Sequence, residues 1–199
     1  LETQLRMTLS NVAFPAMSSM QDDINRFWNY YRKFLLALAF LTMPAAVFLF
    51  VFADKIVLWY LGAKWTAAVP YLRVFSLGAF ITPVMYSLDR IPLALGRNKQ
   101  YMWLGILGSM FKFFSIVVGV VGWGAMGCAI AIVLSDYILW VPFFYVATSG
   151  TPIKWLNYMR VLIAPVAITL PVGVLFWAVR VYFNFSEDLF ILLSEMCLI

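Results

Sequence analysis

Long runs of apolar residues separated by short polar clusters dominate this chain. Phe34 to Ala53 (FLLALAFLTMPAAVFLFVFA) carries no charge and is flanked by Arg32-Lys33 and Asp54-Lys55. A helix rises about 1.5 Å per residue, so about 20 such residues cross a hydrocarbon core of about 30 Å. Pro44, near the middle, predicts a kink of the sort membrane helices tolerate where neighbours satisfy the freed carbonyl. Residues 1–20 read as the tail of an earlier helix, closed by the polar loop Gln21 to Arg26. Further runs cover Ala67 to Leu95, Lys99 to Val120, Trp123 to Thr148 and Val161 to Val179, the last with Pro165 and Pro171 inside it. Another begins at Leu189, after the polar stretch Asn184 to Asp188. Gly119-Val120-Val121-Gly122-Trp123-Gly124 reads as a tight turn between two of the runs. None of them alternates with period two as a barrel strand would. The pattern predicts an all-α fold, a polytopic transmembrane helical bundle.

Composition sharpens this. Of 199 residues 64% are hydrophobic, 18% aromatic and 12% charged, and the mean hydropathy is +0.92. A soluble domain carries roughly 25% charge, so soluble enzymes, nucleic-acid binders and disordered chains are excluded as classes. The net charge of +5 does not mark a phosphate-tracking patch, because the basic residues are dispersed between apolar runs. With no histidine and two distant cysteines, Cys128 and Cys197, the chain lacks the usual zinc ligand set and the histidine-based triads. Both thiols read as small apolar fillers. No metal and no cofactor is expected. Polar and charged residues open the chain and an apolar run closes it, so it is expected to be a piece of a longer polypeptide.

The loops suggest an orientation. One alternating set holds Arg26, Arg32, Lys33, Arg97, Lys99, Lys154 and Arg160, the other Lys55, Lys64, Arg73 and Arg180. Lysine and arginine concentrate on the cytoplasmic side, which favours the first set as cytoplasmic. Trp28, Trp59, Tyr60, Trp65, Trp103 and Trp155 fall near span ends, as an aromatic belt at the headgroups would.

Charges inside spans cost at least about 2.5–3.5 kcal/mol and mark function by default. Counting from the Gly96–Asn98 loop places Asp89-Arg90 roughly 10 Å deep and Lys112 roughly 21 Å deep. Counting back from the Gly122 turn places Asp136 roughly 11 Å above the cytoplasmic side. On these depths Arg90 and Asp136 are the expected ion pair. Lys112 has no carboxylate at its level and reads as a cavity charge. Arg73 reads as an interfacial anchor. The candidate substrate-binding residues are therefore Lys112, Arg90 and Asp136; snorkelling of Arg90 and a helix-packing role for Asp136 are the alternatives.

Several stretches, taken together, resemble polysaccharide flippases of the Wzx/TuaB type, within the MATE-like transporter superfamily. They are the helix end Val12-Ala13-Phe14-Pro15-Ala16-Met17-Ser18-Ser19-Met20-Gln21-Asp22-Asp23, the proline-centred helix around Pro44 with Ala53-Asp54-Lys55-Ile56-Val57 after it, and Leu61-Gly62-Ala63-Lys64-Trp65-Thr66-Ala67-Ala68-Val69-Pro70-Tyr71-Leu72. Ala94-Leu95-Gly96-Arg97 and Gly122-Trp123-Gly124-Ala125-Met126-Gly127 follow in the same order. The resemblance implies a parent of about 12 to 14 helices in two pseudo-symmetric lobes. Residues 1–148 would be a partial second lobe, and 149–199 additional C-terminal helices without a familiar motif. It further implies a multi-pass protein of the bacterial cytoplasmic (inner) membrane that is not an enzyme. Its expected partners are membrane lipids, a missing N-terminal lobe and an undecaprenyl-diphosphate-linked oligosaccharide, but no nucleic acid. Rival readings are a MATE-type drug/cation antiporter, a membrane glycosyltransferase or polymerase, and a non-catalytic membrane scaffold. The antiporter would need more acids than cations at depth, and the enzyme a large extramembrane catalytic loop.

Overall fold

The structure, a computed structural model, describes residues 24–89, 91–92, 98–149, 151 and 153–182. Its elements are helices: α1 (Ile24–Val51), α2 (Ala53–Leu61), α3 (Val69–Tyr86), α4 (Asn98–Ala147) and α5 (Trp155–Tyr182). Four stretches are long and apolar enough to cross a membrane: Asn25–Val51, Ala63–Asp89, Lys99–Ala147 and Trp155–Tyr182. The run at Leu189 and the helix end before Asp23 lie outside the described residues.

α1 continues through Pro44 and is 28 residues long, or about 42 Å. Ile24-Asn25-Arg26, expected in a loop, are part of this helix. The helix breaks at Phe52 (φ −101°, ψ 17°) and α2 follows, ending at Gly62. A 3-10 turn, Ala63–Ala68, leads into α3. There Pro70 sits in the first turn, where its missing N–H costs no bond. A second 3-10 turn, Ser87–Asp89, closes α3.

α4 is a hairpin. Its backbone leaves helical geometry at Trp123 (φ −136°, ψ 18°) and Gly124 (φ 61°, ψ −144°), and the second pair of angles is open essentially to glycine alone. The arms, residues 98–122 and 125–147, then run back along each other. Gly119 faces Gly127 and Ala131, Gly108 faces Leu139 and Phe143, and the rings of Tyr101 and Phe143 meet edge-on with centroids 5.4 Å apart. A Cβ on Gly127 would overlap the Gly119 carbonyl oxygen, so hydrogen at both positions is what lets the backbones touch. The reversal falls at the end of the expected Gly119–Gly124 turn, at Trp123 and Gly124, while Gly119 to Gly122 stay helical.

α1 lies beside α3 and α5, and α3 beside α4. α1 and α5 run parallel: Val47 abuts Gly173, and Phe48 meets Phe176 at 5.6 Å. α3 runs antiparallel to α1, with Tyr31 against Ser87 at one end and Arg73 near Asp54 at the other. The main core gathers at the Tyr31 end, from Phe27, Tyr31, Leu35, Leu38, Leu88, Phe144 and Tyr158. A small second cluster, Ala53, Val57 and Val69, lies at the opposite end. Hydroxyls inside the helices are satisfied on their own backbone: Thr42 donates to the Leu38 carbonyl at 2.9 Å, Ser76 to Leu72 at 2.6 Å and Thr169 to Pro165 at 2.7 Å. In hydrocarbon an unpaired hydroxyl would cost several kcal/mol.

Candidate functional site

The hairpin brings Lys112 and Asp136 together. Lys112 Nζ donates to Asp136 Oδ1 at 2.7 Å. The Asp136 side chain is 9% exposed and that of Lys112 27%. Lys112 stands eleven residues before Trp123 and Asp136 twelve after Gly124, which puts both about 17 Å from the turn. An ammonium and a carboxylate at this depth, in direct hydrogen-bond contact, cancel most of the cost of burying either alone.

This corrects the expected pairing. Asp136 is the partner of Lys112, and Lys112 does have a carboxylate at its level. The depth estimates failed because they were taken from two different loops across an assumed thickness of about 30 Å, whereas residues 98–122 rise about 36 Å. Measured from their common turn, the two residues come out level. Arg90 lies outside the described residues. The flank of the same hairpin carries an apolar cleft of about 350 Å³ lined by Phe111, Phe114, Ser115, Gly119, Ala131 and Ser135 among others. Lys112 and Asp136 are sequence neighbours of its walls but not part of them.

Two polar clusters were not foreseen. At the end away from the core, Arg180 donates to the Val51 carbonyl at 2.7 Å and to Asp54 Oδ2 at 2.9 Å. Arg73 stands 3.9 Å from Asp54 Oδ1. Arg73, expected as a lone anchor, is thus the third member of an Arg–Asp–Arg group joining α2, α3 and α5. At the core end, the Tyr31 and Ser87 hydroxyls lie 2.8 Å apart. Ser87 donates to the Val84 carbonyl at 2.7 Å, and Tyr158 donates to that same carbonyl at 3.1 Å. The loop alternation held a signal for the first group, since Asp54, Arg73 and Arg180 all fall on one side. No spacing in the chain signals the second. Among the described residues no three of His, Cys, Asp and Glu gather as a metal site would require, and Cys128 is a free, half-buried thiol.

Comparison with known proteins gives this arrangement its context. Residues 1–70 match the family described as polysaccharide biosynthesis protein. The chain is 22% identical over 181 residues to the lipopolysaccharide biosynthesis protein WzxC of Escherichia coli K12, covering 89% of this chain and 36% of that protein. It is likewise 22% identical over 184 residues to a membrane protein of the cps region of Klebsiella pneumoniae, covering 88% of this chain and 36% of that one. The chain therefore spans about a third of the length of these relatives. Its fold is similar to that of the lipid II flippase MurJ in an inward closed conformation, with a TM-score of 0.65 at 16% identity, covering 92% of this chain and 44% of that one. On these observations the chain is a multi-pass membrane protein whose sequence is similar to that of WzxC and whose helices share the fold of part of MurJ.

Proposed function

We propose that this chain forms part of one lobe of a flippase that carries undecaprenyl-diphosphate-linked oligosaccharide across the bacterial inner membrane. The likeness to WzxC and the fold shared with a lipid II flippase support the class. The Lys112–Asp136 pair is the observation that carries the mechanism. The head of such a substrate cannot cross hydrocarbon unaided, and its tail cannot leave it. A diphosphate passing the hairpin competes with Asp136 for the Lys112 ammonium, because both are oxyanions. The displaced Asp136 carboxylate then takes up a proton or a cation; when it gives this up again it returns to Lys112 as the carboxylate and releases the substrate. Rocking of one lobe against the other alternates access. Arg90 is the second cation assigned to the path.

Export of polymer by cells that depend on the full-length protein tests this. Lys112→Ala, Arg90→Ala and Asp136→Asn are expected to lower export and to accumulate lipid-linked repeat units. Wild-type export by all three variants would reject the assignment. The antiporter reading predicts drug sensitivity with intact surface polysaccharide when the gene is deleted. It is disfavoured because the deep carboxylate Asp136 is already engaged by Lys112.

A further inference from the structure

The Arg–Asp–Arg group has more cationic capacity than its carboxylate uses. Arg180 takes Asp54 Oδ2 and the Val51 carbonyl. Asp54 Oδ1 is buried and accepts no hydrogen bond. Arg73 is near enough to that oxygen for charge attraction, but at 3.9 Å it is too far for a hydrogen bond. Among the described residues the Arg73 guanidinium therefore donates to nothing, and its side chain is 39% exposed. Beyond Asp54, the charge that shares its carboxylate, Arg180, has the same sign as Arg73. Lys55 and Lys64 belong to the same end of the bundle, where Asp54 is the acid among the described residues.

Depth identifies what meets this charge. Trp59, Tyr60 and Trp65 on α2 and the turn after it, and Trp177 and Tyr182 on the last turns of α5, are 57–89% exposed. Tryptophan and tyrosine presented outward at span ends sit at the headgroup level. The anion a bilayer offers at that level is a lipid phosphate, and a guanidinium fork matches phosphate oxygens bidentately.

We propose that Arg73, with Arg180 behind it and Asp54 as an internal competitor, binds the phosphate of an anionic lipid headgroup at this end of the bundle. The phosphate oxygens take the donors that Arg73 does not use, while Asp54 holds Arg180 in place and sets the affinity by competing for Arg73. Two sources share this chemistry: the phosphodiester of a bulk anionic lipid and the diphosphate of a polyprenyl carrier. The site is separate from Lys112 and Asp136 and does not depend on the transport reading.

Native mass spectrometry of the full-length protein in detergent tests the proposal, using phosphatidylglycerol, undecaprenyl diphosphate and zwitterionic phosphatidylethanolamine as probes. Wild type is expected to retain an anionic probe in preference to phosphatidylethanolamine. Arg73→Gln should weaken that retention about tenfold or more, as loss of a charge-assisted bidentate contact does, with the unfolding temperature unchanged because Arg73 donates no bond to its own protein. Asp54→Asn should strengthen it. Loss of phosphatidylglycerol alone identifies the bulk lipid as the source, and loss of undecaprenyl diphosphate alone identifies the carrier; either supports the site. Retention of both anionic probes at wild-type affinity by Arg73→Gln overturns it. No transport occurs in this measurement, so a negative export result for Lys112 leaves it standing.

Discussion

At the scale of single residues, the energetics turn on charges and hydroxyls that apolar surroundings leave with one available partner. Lys112 and Asp136 meet at 2.7 Å midway along a hairpin whose outer surface is apolar. Removing one of them strands the other, which costs about 3–5 kcal/mol in a buried pair. Asp136→Leu and Lys112→Met are therefore each expected to lower the denaturation midpoint of the purified protein, and the double substitution to recover most of the loss. Export should not recover in the double variant, which separates the structural role of the pair from its proposed part in transport. Tyr31 is fully buried and bonded to Ser87. Tyr31→Phe removes one hydrogen bond, worth about 1 kcal/mol. Tyr31→Ala also opens a cavity and should cost about 3–5 kcal/mol. Denaturant titration followed by tryptophan fluorescence reads both.

At the scale of elements, α4 shows how a turn and a close approach are set by different glycines. Gly124 permits the reversal through its backbone angles. Gly119 and Gly127 permit the arms to touch beyond it. Gly127→Ala is expected to splay the arms at a cost of about 1–3 kcal/mol, the range for overpacking. Gly105, on the same hairpin, has open space where a Cβ would go. Gly105→Ala should leave the packing intact and add about 1 kcal/mol of helix stability. A thermal-shift comparison of the two variants in the same detergent checks the contrast. The legibility of this element was uneven. The reversal at Trp123 and Gly124 could be read because turn propensity is local, whereas the place of Gly119 in the packed helix, not the turn, could not. The merging of Ile24 to Arg26 into α1 could not, because polar residues continue a helix readily when its next turns, here Phe27 and Tyr31, are buried.

At the scale of the whole molecule, α1, α3 and α5 are tied at both ends. The Tyr31–Ser87–Tyr158 hydroxyls hold one end, and at the other Arg180 bonds to the Val51 carbonyl and to Asp54, with Arg73 of α3 drawn near by charge attraction alone. The hairpin α4 joins this unit mainly along α3, where Val133 seats against Gly78 and Tyr137 donates to the Leu77 carbonyl at 2.9 Å. Its first arm leaves Trp103, Leu107, Phe113, Phe114 and Val121 outward, 56–82% exposed, as a surface facing lipid or another part of a larger protein does. The loop charges predict the direction of the chain. In a background with Cys128 and Cys197 replaced by serine, Lys64→Cys should react with a membrane-impermeant maleimide added to intact cells. Lys154→Cys should react only after the membrane is opened. The reverse pattern would invert the orientation.

Hydropathy alone determined that this chain lives in lipid and, among the described residues, which stretches are long enough to cross it, because the cost of placing each residue in hydrocarbon is local and adds up along the run. Tertiary structure decided which charge meets which. Pairing depends on the rotational phase of two helices and on their levels measured from a common turn, and neither is written in any one segment. That is why Asp136 could be recognised as a deep carboxylate while its partner, Lys112, had to wait for the folded hairpin.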